Sequence, residues 1–217
     1  MLIITGLGRC GTSLLMKFLK EIKFPVGKDL NWIDEINAGY ELRSAYSINL
    51  MAYSYFIKQG KEIDLDVKLD DKYWKDMSLR EMIQNVDKDP RQLSVHMFKD
   101  PRFTWSPKLI EMWWTVRKDL EVLLLHRNVQ EIIESRGRLP QTYQEPKPER
   151  VNKPEVYKSD FHDFLTKLLE LQIPYEILFY PNFTRDYEMV VRALNKLSYY
   201  FEPWKSEKIW YDIVQRR

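Results

Sequence analysis

The spacing of apolar residues changes several times along the chain, and each change marks an element. Leu2-Ile3-Ile4-Thr5-Gly6 is a continuous, largely β-branched run that predicts a buried strand, and Leu14, Leu15, Phe18, Leu19 and Ile22 then recur at helical intervals. Between them Gly6-Leu7-Gly8-Arg9-Cys10-Gly11-Thr12-Ser13 interrupts both patterns, so the order is strand, glycine loop, helix. After a turn at Phe24-Pro25-Val26-Gly27, the stretch Glu41 to Ile57 carries Leu42, Ala45, Tyr46, Leu50, Tyr53 and Ile57 on one broad helical face. Lys61 to Lys75 mixes charges with few apolar residues and reads as a solvated excursion, followed by a short helix at Ser78 to Val86.

Val95-His96-Met97-Phe98 predicts a second buried strand, ending at Lys99-Asp100-Pro101-Arg102. Ser106-Pro107 is a cap-and-first-turn pair for a helix reaching Val116. Glu121-Val122-Leu123-Leu124-Leu125 is apolar throughout, as a central parallel strand is, and a helix follows at Val129 to Gly137. Pro146, Pro148 and Pro154 among charges predict a mobile loop over residues 138–157. A helix at Tyr157 to Leu171, a strand at Tyr175 to Phe179 and a helix at Arg185 to Leu197 complete the pattern.

Alternation of strand and helix predicts an α/β fold: a single three-layer domain, residues 1–217, with a mostly parallel central sheet and helices on both faces. Ligands in such folds bind beyond the carboxyl ends of the strands, where the unusual segments after residues 6, 98 and 126 all fall. The charge of +2, from 34 basic and 32 acidic residues, gives no field that would gather nucleic acid or an anionic membrane, so any anion site is local. One cysteine, Cys10, excludes an internal disulfide and a cysteine metal cage. No signal-peptide pattern precedes the first strand and no stretch approaches 18 apolar residues, so the expectation is a soluble, cytoplasmic protein.

The first loop has the two glycines of a Walker A loop, but Thr12 stands where the phosphate-gripping lysine belongs. A glycine loop entering a helix still offers backbone N–H groups and the positive end of the helix dipole to an anion. The plainer alternative is a tight turn, for which Arg9, Thr12 and Ser13 are more polar than needed. Arg127 ends the apolar strand, and Ser135 follows two helical turns later, so a guanidinium fork and a hydroxyl are able to meet at one phosphate. Taken alone, they are equally a strand-end arginine and a surface serine.

Together these segments resemble the P-loop-type sulfotransferases that use 3′-phosphoadenosine-5′-phosphosulfate (PAPS). Arg9-Cys10-Gly11-Thr12-Ser13 is similar to that family's 5′-phosphosulfate loop, and Arg127 with Ser135 eight residues on is similar to its 3′-phosphate motif. Lys99-Asp100-Pro101 resembles an element of tyrosylprotein and bacterial members, as Gly39-Tyr40-Glu41 resembles a bacterial Gly-Tyr-x-Glu region. The C-terminal nucleotide motif of cytosolic members has no counterpart.

The resemblance implies a PAPS-dependent transferase that needs no metal, releases adenosine 3′,5′-bisphosphate, and acts on a small-molecule, carbohydrate or peptide acceptor. It places Gly8, Arg9, Cys10, Gly11, Thr12 and Ser13 at the 5′-phosphosulfate and Arg127 and Ser135 at the 3′-phosphate. Arg9 and Lys99 are the candidates for stabilising charge in transfer, although Lys99 also reads as a strand-end surface lysine. Glu41 is the positional match for the base, with Asp34 and Glu35 beside it as alternatives; His96, inside the strand, reads as a core or back-face residue. Trp105, Trp113 and Trp114 read as core.

Two other readings share the fold. A magnesium-dependent phosphotransferase needs a loop lysine and a strand-end acid, a part open to Asp100. A domain that only binds a nucleotide or a partner is the other.

Overall fold

A computed structural model describes residues 1–26, 30–31, 41–69, 74–88, 96–137, 153–200 and 203–215. Four parallel strands form the central sheet: β1 (Leu2–Gly6), β4 (Met97–Lys99), β5 (Glu121–Arg127) and β6 (Tyr175–Tyr180), in the order β4-β1-β5-β6. Register is fixed by Ile4 opposite Lys99, Gly6 opposite Leu125, and Arg127 opposite Tyr180, which brings all four carboxyl ends to one edge. A two-residue pair, β2 (Leu30–Asn31) antiparallel to β3 (Glu41–Leu42), forms a second sheet that is not hydrogen-bonded to the first, although β3 packs against β4.

Alternation along the central strands sorts the helices into two layers. Ile3, Val122 and Leu124 face α2 (Arg43–Tyr55), α3 (Leu79–Asn85), α5 (Pro107–Val116) and α7 (Pro154–Glu170), where Ile48, Leu79, Trp113 and Phe164 are fully buried. Leu2, Ile4, Leu123 and Leu125 face α1 (Thr12–Glu21), α9 (Tyr187–Lys196) and α10 (Pro203–Gln215), through Phe18, Val190 and Trp210. A smaller cluster of Leu7, Val129, Ile132 and Tyr157 seats α6 (Val129–Gly137) on α7. One-turn helices α4 (Arg102–Trp105) and α8 (Asn182–Arg185) follow β4 and β6.

The mostly parallel, three-layer α/β architecture is therefore as expected, with differences of detail. Ser78 caps α3 through a capping box with Glu81, and Pro107 opens α5. The predicted helix from Glu41 starts at Arg43, and its buried face is Ser44, Ala45, Ser47, Ile48, Asn49, Met51 and Ala52, whereas Leu50 is 44% exposed. The face is rotated because Asn49 is claimed by buried partners: its Oδ1 accepts from Trp113 Nε1 at 2.7 Å and its Nδ2 donates to Asp100 at 2.8 Å.

Within Lys61 to Lys75, Ile63, Leu65 and Val67 pack against the core and Leu69 and Trp74 are buried, so this charged segment is anchored, not simply solvated. The predicted mobile loop falls outside the described residues over 138–152, and its last residues, 154–157, belong to α7, which Pro154 opens. The helix expected at Arg185 divides at Asp186, into α8 and α9. Trp113 is core as expected, while Trp105 and Trp114 are half-buried.

Candidate functional site

The loop after β1 is held in shape by what its glycines exclude. A Cβ on Gly6 would collide with the Cys10 sulfur and the Leu125 carbonyl, so only glycine lets the loop fold back over β5. Gly11 has φ +90° and caps α1, and a Cβ there would stand 2.7 Å from Phe183 and 2.8 Å from Tyr180. Gly8 and Arg9 also have positive φ, 82° and 55°. These left-handed residues bring the loop round to the N-terminus of α1, the positive end of that helix's dipole.

Cys10 packs in the apolar cluster beneath the loop. Burial pushes its thiol up to about 11, against the opposing pull of the Lys99 charge and of backbone N–H groups at Gly8, Cys10 and Thr12. The thiol is therefore neutral near pH 7. Thr12 is buried and Ser13 half-buried at the first turn of α1.

Lys99 ends β4 and is only 5% exposed, so it is not a surface lysine; its Nζ donates to Ser13 Oγ at 3.1 Å. The next residue, Asp100, is 1% exposed and its carboxylate is fully engaged. It accepts from Arg102 Nη2 at 2.6 Å, from Arg102 Nε at 2.9 Å, and from Asn49. Arg102 in turn lies over the Tyr46 ring at 3.8 Å and donates to the Tyr46 carbonyl. Asp100 is thus a fastener between β4 and α2, and it is not free to hold magnesium as a phosphotransferase acid would.

On the other side of the loop, Arg127 donates its Nη1 to the Arg9 carbonyl at 3.0 Å and its Nε to Glu131 at 2.8 Å, with its guanidinium 4.7 Å from the Tyr180 ring. Arg9 donates from Nε to Ser135 Oγ at 3.1 Å. The sequence reading groups Arg9 with the 5′ end of the nucleotide; its side chain instead meets α6. His126 points to the opposite face from Arg127, against Phe161 and Phe179, and burial holds its imidazole below the usual range.

The candidate base is placed only by its backbone: Glu41 is in β3, which lies against β4, the strand that carries Lys99. Asp34 and Glu35 lie outside the described residues. His96 is exposed just before β4, at the amino edge of the sheet and opposite the glycine loop, so it is neither core nor near the site.

No protein-family model matches the chain, and no curated protein does. Solved structures do. The sulfotransferase domain of the curacin biosynthetic pathway superposes with a TM-score of 0.55 at 14% identity, covering 93% of this chain and 75% of that one. The sulfotransferase domain of the Synechococcus PCC 7002 olefin synthase gives 0.56 at 14%, covering 93% and 74%. Sulfotransferase STF1 of Mycobacterium tuberculosis H37Rv gives 0.53 at 12%, covering 99% and 75%. This chain has the sulfotransferase fold.

Within that fold, the residues singled out by sequence, Glu41 apart, fall into one connected arc along the sheet edge: Lys99 on Ser13, the glycine loop, Arg127 on the Arg9 carbonyl, and Arg9 on Ser135. Sequence reasoning missed Tyr180, which ends β6 against both Gly11 and Arg127. A strand-end aromatic opposite the expected Arg127 was the available signal. It also missed Asn49, which only tertiary contacts reveal, and Glu131, whose signal was its position four residues after Arg127. Among the described residues, no helix is long and apolar enough to cross a membrane.

Proposed function

We propose that the protein is a cytoplasmic sulfotransferase that moves a sulfuryl group from PAPS to a hydroxyl or amine acceptor without a metal. The observation that carries the reading is the convergence of three strand-end motifs on one loop: Ser13 with Lys99 on one flank, Arg127 and Ser135 on the other. The sulfotransferase fold of the chain supports it.

The donor carries about four negative charges, and removing them from water requires paired cations and charge-assisted hydrogen bonds. The residues present fit that demand. The loop peptides from Gly8 to Ser13, the Thr12 and Ser13 hydroxyls and the α1 N-terminus take the 5′-phosphosulfate, and Gly11 lets the loop close against Phe183 and Tyr180 where any side chain would collide. Arg127 and Ser135 take the 3′-phosphate. When bound, PAPS supplies an activated sulfuryl group with a good leaving group.

Lys99 holds a fixed positive charge beside Ser13 in a buried position, where it is worth more to a developing negative charge than in water. Asp100, Arg102 and Asn49 keep the end of β4 in register with α2. Glu41, on the strand beside β4, accepts the proton of the attacking hydroxyl.

Transfer of labelled sulfate from PAPS across a panel of sugars, phenols and peptides tests the reading. Lys99→Ala is expected to lower turnover about 10²–10³-fold, and Glu41→Gln to abolish turnover while leaving nucleotide binding intact. Magnesium-dependent phosphate transfer from ATP, with no sulfate transfer, would overturn it.

A further inference from the structure

Residues 62–69 alternate with period two, as a half-buried strand does: Glu62, Asp64, Asp66 and Lys68 are exposed, Ile63, Leu65 and Val67 half-buried and Leu69 buried. The later part of this segment is fastened to the start of α3. Arg80 N donates to the Leu65 carbonyl at 2.9 Å, Leu79 N donates to the Val67 carbonyl at 3.3 Å, and Lys68 bridges to Ser78. Among the described residues, the peptide groups of Glu62 and Ile63 take no hydrogen bond. Beside them, between this segment and α5, lies a groove of about 340 Å³, floored by Ile63, Leu65 and Met112 and rimmed by Glu62, Lys108 and Glu111. We infer that this groove docks an extended peptide of a partner protein, one that alternates apolar and basic residues and adds as a strand beside Glu62 and Ile63.

Main chain, floor and rim each select a property of that occupant. Open peptide groups along a strand-like segment are a template for another main chain, which meets them by strand addition. Side chains of an added strand point alternately to opposite faces. Its apolar residues therefore meet Ile63, Leu65 and Met112, and the residues between them lie beside Glu62 and within reach of Glu111. The rim sets the sign of those residues, since two carboxylates stand against the one ammonium of Lys108. Glu62 has no ion-pair partner among the described residues, and Glu111 has Lys167 only at 4.0 Å, a lysine held 2.7 Å from Glu170. From the carboxyl end of β4, α5 carries the groove back toward the start of β5, away from the glycine loop. The groove is therefore separate from the arc of Ser13, Lys99 and Arg127, and the inference does not rest on sulfuryl transfer.

The experiment measures fluorescence anisotropy of two labelled hexapeptides, one alternating lysine and leucine and the other glutamate and leucine, titrated with the full chain. The wild type is expected to bind the lysine peptide at least about tenfold more tightly than the glutamate peptide. Glu62→Lys combined with Glu111→Lys, both at exposed positions, is expected to reverse that preference. A third probe, the lysine peptide with alternate backbone nitrogens methylated, is expected to bind the wild type at least about tenfold more weakly, because its main chain no longer donates to the open edge. Absence of binding, or equal binding of the lysine and glutamate peptides, would overturn the inference. So would a preference untouched by the double substitution, which would put the peptide elsewhere on the surface. Equal binding of the methylated peptide would overturn strand addition, and full displacement of the lysine peptide by n-pentylamine at equal concentration would make the groove a small-amine site instead. The methylated probe and the amine both use the wild type, so the inference stays open to refutation even if the double variant does not fold.

Discussion

Cys10 lies beneath the glycine loop, and its side chain stays uncharged because burial raises the thiol from 9.0 to about 11. The folded state keeps the thiol proton where the unfolded chain loses it, so this contribution is complete below about pH 9 and is lost as pH rises toward 11. Its size is on the order of 3 kcal/mol. Thermal unfolding of Cys10→Ala, compared with wild type from pH 8 to 11, is expected to show a shallower alkaline decline; parallel curves would remove Cys10 from the account. Gly11→Ala carries a different expectation, since the new Cβ meets Phe183 and Tyr180 and the φ of +90° is unsuited to it. Nucleotide affinity should fall at least tenfold with a lowered melting temperature, and an unchanged titration would show that the loop does not hold the ligand. At this scale the sequence made the loop and Lys99 readable, because glycine spacing and strand ends are local patterns. The direction of the Arg9 side chain was not readable, because it depends on one backbone angle and on Ser135 across the sheet edge.

Among elements, the joint between β4 and α2 carries the greatest electrostatic risk. Asp100 and Arg102 are both buried, and Asn49 completes their hydrogen bonding while holding Trp113. A buried pair need not be strongly stabilising as a pair, but removing one member strands the other. Asp100→Ala is expected to lose about 3–5 kcal/mol in denaturant unfolding; a midpoint equal to that of wild type would mean the joint is not closed in solution. The rotated face of α2 follows from this joint: periodicity assigns Tyr46 and Leu50 inward, whereas the buried asparagine and serines decide otherwise. The short pair β2 and β3 left no sequence signal, being two residues each, and α10 was not anticipated despite the full burial of its Trp210. By contrast the strands at 2–6 and 121–127, paired on both sides, were legible because both of their faces are apolar.

On the scale of the molecule, the parallel order β4-β1-β5-β6 matters most, because it gathers four carboxyl ends on one edge. Residues 9, 13, 99, 127 and 135 thereby become neighbours although they are spread over more than half of the chain. That gathering was inferable from the alternation of strand and helix; the contacts within it were not. The arc holds cations but, in Asp100, a carboxylate already committed to Arg102. Recognition of an anionic nucleotide should therefore not require a divalent cation. Calorimetric titration of the wild type with adenosine 3′,5′-bisphosphate in the presence of a chelator is the most direct test of the central claim, with Arg127→Ala as its partner. The account predicts tight binding without magnesium, weakened at least tenfold by that substitution. Binding of ATP only when magnesium is added, with no affinity for the bisphosphate, would contradict it.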